Sequence, residues 1–327
     1  ARRVVTAGLL SMMLGYGLMF LAGSPAVLLW SGVFIGIGFG TCGQSVLTGA
    51  VGRMVVPSQR SNAFAKLAIA NGIGQFVALP YVHMFIEVFG WRGSLLVIVL
   101  SLGCLLPLTM MVPDAPASPQ THRPQRLSEA IREACAVPSF WLLTVGFFVC
   151  GFHVGFYAVH LPAYVASLGL DTWVSVSALT LVGVANIAGT YLAGRSTRYA
   201  PQHRTLSFIY FTRSLVFLGL LALPPTPVVI LALSAILGLF WLATLPLTSG
   251  LVATFFGTNW LSLLFGIVLF AHQIGGFFGV WAAGVLFDRT GSYDAMWLIS
   301  FALGVIAAVL HWPIREQAVP RLQERPA

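Results

Sequence analysis

The chain has 327 residues, of which 58% are hydrophobic and 8% are charged. Soluble domains carry about a quarter charged residues, so nine acidic and seventeen basic residues are too few to cover a water-soluble globule of this size. The apolar residues fall in blocks of about twenty, the length that an α-helix needs to cross the hydrocarbon core of a bilayer. The composition therefore excludes a soluble protein and predicts an all-α membrane protein embedded in the lipid bilayer.

Ten apolar segments are predicted to span the membrane. They are 4–22, 28–52, 63–88, 93–112, 139–167, 174–194, 205–223, 227–254, 261–287 and 293–313. Short connections rich in Gly, Pro and Ser separate most of them. The exception is 113–138, which is Pro-rich and then amphipathic, and which predicts a cytoplasmic linker ending in an interfacial helix.

Arginine side chains cluster on one side of the predicted membrane. The gaps on the other side hold only Arg92 and Arg289. The gaps on the first side hold Arg2, Arg3, Arg53, Arg60, Arg123, Arg126, Arg132, Arg195, Arg198, Arg204, Arg315, Arg321 and Arg325. Since cytoplasmic loops are enriched in Lys and Arg, we expect a multi-pass protein of the inner (plasma) membrane with both chain ends in the cytoplasm. The net charge of +8 is thereby explained by topology, and no nucleic-acid partner is expected.

An internal repeat is indicated when the chain is shifted by 201 residues, which brings Gly90 onto Gly291 and Gly49 onto Gly250. A parallel repeat of this kind is typical of transporters whose halves are related by an axis along the membrane normal. The second half begins two segments before the residue that aligns with Ala1. The repeat therefore predicts ten helices of an original twelve. Residues 1–112 would be the last four helices of the first half, 113–138 the linker, and 139–327 a six-helix half.

Several stretches resemble the major facilitator superfamily, whose members carry a basic Gly-x-x-x-Asp-Arg-x-Gly-Arg-Arg loop between their second and third helices. Arg2 and Arg3 resemble the tail of that loop, so the resemblance implies a chain truncated at its N-terminus. A second copy without the acidic residue includes Arg195, Arg198 and Arg204, and by this resemblance those residues are expected to form a gating loop.

The stretches 151–155, 271–276 and 287–294 are more specifically similar to bacterial relatives of the monocarboxylate porters. This resemblance implies a major facilitator-type helical bundle and secondary active transport by alternating access, with a monocarboxylate substrate. An Asp and an Arg in the eighth helix of better-known monocarboxylate transporters are absent from the matching stretch, 184–190. Substrate and proton coupling are therefore not carried over from those two residues.

Arg213 is the ionisable residue placed deepest in a predicted segment, and no acidic residue of the sequence falls near mid-membrane. Intramembrane charges usually mark function. One interpretation is that an anionic substrate supplies the missing negative charge. The other is that Arg213 caps backbone carbonyl groups or pairs with an acid outside this chain.

The remaining substrate-binding or coupling candidates are polar residues at membrane depth. They are His272, Gln273, His153, Tyr157, Asn186, Gln44 and Thr244. A histidine can carry a coupling proton near neutral pH, and each residue can equally form an interhelical hydrogen bond. Gln273 and the glycines that follow it favour a closely packed, cavity-lining stretch around His272.

No enzyme is expected, because the sequence lacks the HExxH, Walker and GxSxG motifs, and no cofactor or metal is expected either. A formal GxGxxG at 38–43 lies inside an apolar segment without the strand that a dinucleotide site needs. Gly32, Gly36 and Gly40 predict instead a helix face that allows another helix to approach closely. The four cysteines are interpreted as small apolar fillers.

The favoured function is secondary transport of small organic anions, with monocarboxylates first and a proton as the coupling ion. Two alternatives stay open: export of neutral or cationic small molecules, and an inactive or non-transporting membrane protein.

Overall fold

A computed structural model describes residues 1–112 and 125–323, and within these ranges the regular structure is helical, without strands. The helices are α1 (Arg2–Leu21), α2 (Pro25–Cys42), α3 (Gln44–Met54), α4 (Arg60–Leu105), α5 (Leu127–Cys135), α6 (Pro138–Ser167), α7 (Thr172–Ser196), α8 (Gln202–Ala222), α9 (Pro227–Leu239), α10 (Thr244–Phe256), α11 (Leu261–Thr290), α12 (Asp294–His311) and α13 (Pro320–Gln323). Short 3-10 helices cover Pro57–Gln59 and Leu106–Met111. The predicted linker is described from residue 125 onward, and its remainder lies outside the described residues.

Nine helical stretches of the described ranges are long and apolar enough to cross a membrane. They confirm the predicted class of a multi-pass α-helical membrane protein. Of the ten predicted segments, 63–88 has no counterpart among these nine stretches, although it is helical as the first part of α4. The amphipathic stretch predicted before residue 139 contains α5, in which Glu129 accepts a hydrogen bond from the Arg126 backbone N–H at 2.8 Å.

Two predicted spans are each broken into two helices. The first breaks at Gly43, which separates α2 from α3. The second breaks over residues 240–243, which separate α9 from α10. A shift of 201 residues places Gly43 on Thr244, the first residue of α10. The two broken spans therefore occupy equivalent places in the repeat predicted from the sequence.

Gly90 and Gly291 occupy another pair of equivalent places. Gly90 interrupts α4 with a φ of 68°, and Gly291 ends α11 with a φ of 69°. Only glycine adopts this conformation readily, since a Cβ would clash with the backbone. Both positions of the pair thus have a positive φ, while their ψ angles differ, 173° at Gly90 and 8° at Gly291.

Helices α6 and α11 approach each other through glycines, as the cluster after Gln273 predicts. A Cβ on Gly151 would meet the carbonyl oxygen of His272, and one on Gly275 would meet that of Phe148. Gly155 and Gly279 are likewise closed off by backbone atoms of the facing helix. These contacts fix the depth at which His272 lies opposite α6.

The close approach predicted for Gly32, Gly36 and Gly40 is wrong for the part of the chain that the structure describes, in which no atom of another helix lies within 4 Å of a Cβ built at any of them. Helix α2 packs on α1 through a different face, where Gly38 meets Met12. Glycines spaced by four residues define a face, but they do not say whether a neighbouring helix uses it.

Candidate functional site

Arg213, on α8, is fully buried beside the break between α9 and α10. Its Nε donates to the Phe240 carbonyl oxygen at 3.0 Å, and its Nη2 donates to the carbonyl oxygens of Phe240 and Trp241. Carbonyl groups at the end of a helix have no partner within it and carry partial negative charge. The guanidinium therefore finds its complement in the broken backbone, as the second interpretation of Arg213 predicts.

Asn186, on α7, holds the same break from the opposite side. Its Oδ1 accepts a hydrogen bond from the Leu242 backbone N–H at 2.9 Å and a second from Thr190 Oγ1 at 3.1 Å. Asn186 is 1% exposed. Two candidates from different helices thus satisfy the donors and acceptors that the break would otherwise leave unpaired in a medium without water.

Cys150, on α6, connects the break to α11. Arg213 Nη1 donates to Cys150 Sγ at 3.1 Å, and Thr244 Oγ1 lies 3.5 Å from the same sulfur. His272, on α11, packs against α6 with its ring centred 5.0 Å from that of Phe147. The structure therefore brings together Arg213, Asn186 and Thr244 around one buried centre, with the partly exposed His272 on the helix that faces α6.

Gln273 lies next to this centre but faces outward. Its Oε1 is 3.0 Å from His272 Nδ1, and its side chain is exposed half-way along α11. Asn71, one repeat before His272, is also exposed on α4. Polar side chains at membrane depth usually face a water-filled cavity or the interior of a bundle, so this face of α4 and α11 is expected to be covered by water in a cleft or by a further polar surface rather than by lipid.

His153 and Tyr157 lie deep inside the second half and do not join this centre through any direct hydrogen bond. His153 Nε2 is 2.9 Å from the Ser300 carbonyl oxygen, and the Tyr157 hydroxyl is 2.6 Å from Ser234 Oγ. Both side chains are at most 1% exposed. Gln44, at the first residue of α3, is partly exposed and belongs to the first half.

The residues predicted to form a gating loop lie mostly in helices. Arg195 is in the last turn of α7, and Arg204 is in the first turn of α8. Only Arg198 lies in the connection between them, so the prediction of a single loop is corrected. The sequence here favours long helices because apolar residues continue almost to the connection. All three side chains are exposed.

The two parts of the chain contact each other at the end where α1 begins, here called the basic end because Arg2, Arg53 and Arg195 lie there. A Cβ on Gly49 would meet the Ser262 side chain, and one on Gly52 would meet Leu261 at 2.9 Å. Phe64 is fully buried nearby. These contacts, here called the seal, join α3 to the start of α11. The exposed amides lie further along α4 and α11, beyond the seal.

Sequence reasoning missed Cys150 and Ser234 as partners of candidate residues. Cys150 was interpreted as an apolar filler, whereas it accepts from a guanidinium and contacts Thr244. The available signal was the unpaired Arg213 itself, since a buried cation requires several acceptors. No spacing rule, however, links residues 150 and 213.

Comparison with known proteins gives a family for this geometry. Residues 1–280 match a family model described as Major Facilitator Superfamily. Among curated proteins, monocarboxylate transporter 12 of Xenopus laevis is 26% identical over 311 residues, covering 85% of this chain and 66% of that protein. The rat protein of the same name is 28% identical over 315 residues and is covered to 64%. The chain thus spans less than two thirds of the length of these relatives.

A bacterial relative is similar at the same level. The uncharacterized MFS-type transporter YcxA of Bacillus subtilis is 25% identical over 308 residues, covering 88% of this chain and 72% of that protein.

Solved structures share the fold. The E. coli fucose:proton symporter FucP superimposes with a TM-score of 0.73 at 15% identity, over 95% of this chain and 83% of its own. The proton:xylose symporter XylE superimposes with a TM-score of 0.76 at 14% identity, over 98% of this chain and 82% of its own. At these identities the likeness concerns the arrangement of helices.

Proposed function

Since the chain belongs to the major facilitator superfamily, we propose that it is a secondary transporter of small organic anions, with monocarboxylates as the first substrates to test. The name of its vertebrate relatives, monocarboxylate transporter 12, supports this choice of substrate. One observation carries it: Arg213 is a fully buried cation and makes no ion pair with a carboxylate of the described residues.

The hydrogen bonds of Arg213 leave room for one further acceptor. An arginine has five N–H groups, and the four contacts to the break and to Cys150 use four of them. A carboxylate would accept from the remaining Nη1–H by a charge-assisted bond, which is stronger than a neutral one. Thr244, whose hydroxyl lies 3.5 Å from the same thiol, adds a polar group beside the guanidinium.

Transport would proceed by relative movement of the first half, 1–112, and the second half, 139–327. The seal between Gly49 and Ser262 closes the basic end, while Gln273 and Asn71 are exposed beyond it. If the basic end is cytoplasmic, as we propose from the distribution of arginines, this conformation faces outward. Arg198, in the connection between α7 and α8, would then lie at the cytoplasmic surface while the protein changes from its outward-facing to its inward-facing conformation.

We propose His272 as the group that carries a coupling proton. It is partly exposed beside Gln273 and packs against Phe147 of α6, the helix that carries Cys150. A proton taken from the cleft can therefore approach Arg213 and its substrate. His153 is enclosed and bonded to a backbone carbonyl group, which suits a structural role better.

A second candidate function is export of neutral or cationic compounds. It is favoured by the same contacts that occupy Arg213, because a guanidinium already satisfied by Phe240 and Trp241 needs no anionic substrate. A non-transporting protein is the third candidate, and measurable uptake of any solute excludes it.

Uptake by proteoliposomes distinguishes these functions. The protein as encoded by its gene is reconstituted and offered a radiolabelled monocarboxylate, a neutral solute and an organic cation under an imposed proton gradient. We expect uptake of the carboxylate, loss of uptake in Arg213→Gln, and weak uptake in Arg213→Lys, which keeps the charge without the planar fork. Arg195→Gln is the matched control, since Arg195 is exposed. Normal carboxylate uptake by a folded Arg213→Gln protein would remove Arg213 from the site.

A further inference from the structure

A groove of about 690 Å³ runs along the outer surface of the second half between α8 and α12. The two helices are joined beneath it by a hydrogen bond from Ser207 Oγ to the Ala308 carbonyl oxygen at 2.7 Å. Its walls are apolar side chains that face away from the protein, among them Phe208, Phe211 and Val309. In a membrane protein such a surface is in contact with lipid acyl chains.

One end of the groove carries a charge. Arg204 lines it there, with its guanidinium carbon 5.9 Å from the ring centre of Trp312. Arg204 makes no ion pair within the described residues. The carboxylate closest in sequence to Trp312, Glu316, is bound instead by His203 at 2.8 Å. The guanidinium is therefore free to bind an external anion.

The guanidinium of Arg204 lies at the depth of the bilayer at which lipid phosphate groups lie. Arg204 is in the first turn of α8, and Trp312 directly follows α12, so both lie at the basic end of the bundle. Tryptophan favours the level of the lipid headgroups. Basic pockets between membrane helices on the cytoplasmic side bind anionic headgroups.

We infer that this groove binds an anionic phospholipid, with the phosphate against Arg204 and an acyl chain between Phe208 and Val309. A second groove offers an internal comparison. It has a volume of about 450 Å³ and is lined by Trp141, Leu142 and other apolar or uncharged residues, without a basic side chain. The same combination of tryptophan and apolar walls is present there, so the two grooves share their apolar lining and differ in the cation as well as in volume.

Native mass spectrometry of the purified protein tests the inference. Phosphatidylglycerol and phosphatidylcholine with identical acyl chains are titrated separately, and the dissociation constant of the first bound lipid is measured. We expect tighter binding of phosphatidylglycerol and a loss of about fivefold in Arg204→Gln, as one basic residue contributes about that much near a membrane surface. Arg204→Lys should retain binding. Arg198→Gln, an exposed arginine outside the groove, should leave it unchanged.

Two results would overturn the inference. One is equal binding of the two lipids by the unmodified protein, which would mean that the groove holds acyl chains without selecting a headgroup. The other is unchanged phosphatidylglycerol binding in Arg204→Gln. Dihexanoyl phosphatidylglycerol, which carries the same headgroup on short acyl chains, separates the contribution of the headgroup from that of the acyl chains. Strong binding of this lipid would contradict the role of the apolar walls. Arg204 is exposed, so these variants are expected to fold normally.

Discussion

Replacing Arg213 with Met tests whether the guanidinium holds the break between α9 and α10. Methionine has a similar length and suits an apolar interior, but it donates no hydrogen bond. The carbonyl groups of Phe240 and Trp241 would then be left without their side-chain donor at membrane depth. These acceptors belong to the backbone, so no substitution can remove them together with the arginine.

The expected loss in the free energy of unfolding follows from the number of carbonyl groups left without a donor. A buried polar group left without a partner costs about 1–3 kcal/mol, so two carbonyl groups give about 2–6 kcal/mol. Removing Arg213 also relieves the desolvation of a buried charge, but removal of one partner alone is destabilising in general. Asn186→Ala leaves the Leu242 backbone N–H without its acceptor and also frees the Thr190 hydroxyl. Since that hydroxyl can turn to a backbone carbonyl of its own helix, the substitution should cost about 1–3 kcal/mol. Arg195→Met alters an exposed side chain and should have almost no effect.

Unfolding in mixed detergent micelles with increasing sodium dodecyl sulfate, followed by tryptophan fluorescence, ranks the three variants. The predicted order of the free energy of unfolding is Arg195→Met, then Asn186→Ala, then Arg213→Met as the least stable. An Arg213→Met protein as stable as the unmodified one would refute the structural role of the guanidinium. It would leave substrate binding as the reason for a buried arginine.

Three further predictions concern packing and accessibility. Gly151→Ala should sharply lower the yield of folded protein, because its Cβ would meet the backbone of α11, whereas Gly32→Ala should be neutral; equal yields would contradict the packing. In a cysteine-free background, Gln273→Cys should react with a membrane-impermeant maleimide added from the open side, and Thr48→Cys, at a fully buried position of α3, should not; the reverse pattern would contradict an open cleft beside α11. The double variant Ser45→Cys, Gly266→Cys joins α3 to α11 near the contact of Gly49 with Ser262, and its Cβ atoms would lie 3.9 Å apart, as a disulfide requires. This disulfide should hold the basic end closed and stop transport, with recovery on reduction; unaffected transport would mean that this end need not open.

The features that could be predicted from the sequence were those encoded locally or by repetition. Blocks of apolar residues located the helices, and the 201-residue shift placed Gly90 and Gly291 at equivalent turns, which their φ angles confirm. The close packing around Gly275 was also predictable, because small residues on one face permit it.

The break at 240–243 could not be predicted in the same way. Its own residues are Phe, Trp, Leu and Ala, none of which ends a helix by itself. The break is stabilised by Arg213 and Asn186, which come from two other helices. Long-range partners of this kind leave no periodic signal, so the sequence indicated that Arg213 was unusual but not what it contacts.

The central claim, alternating access by a carrier for small organic anions, is tested most directly by counterflow. Proteoliposomes containing the protein as encoded by its gene are loaded with an unlabelled monocarboxylate and diluted into a trace of the labelled one, without any ion gradient. A binding site that alternates between the two sides predicts a transient accumulation of label above its equilibrium level. That overshoot should disappear when the Ser45→Cys, Gly266→Cys disulfide forms. Monotonic equilibration without overshoot, for carboxylates and for the neutral and cationic solutes alike, would contradict the account.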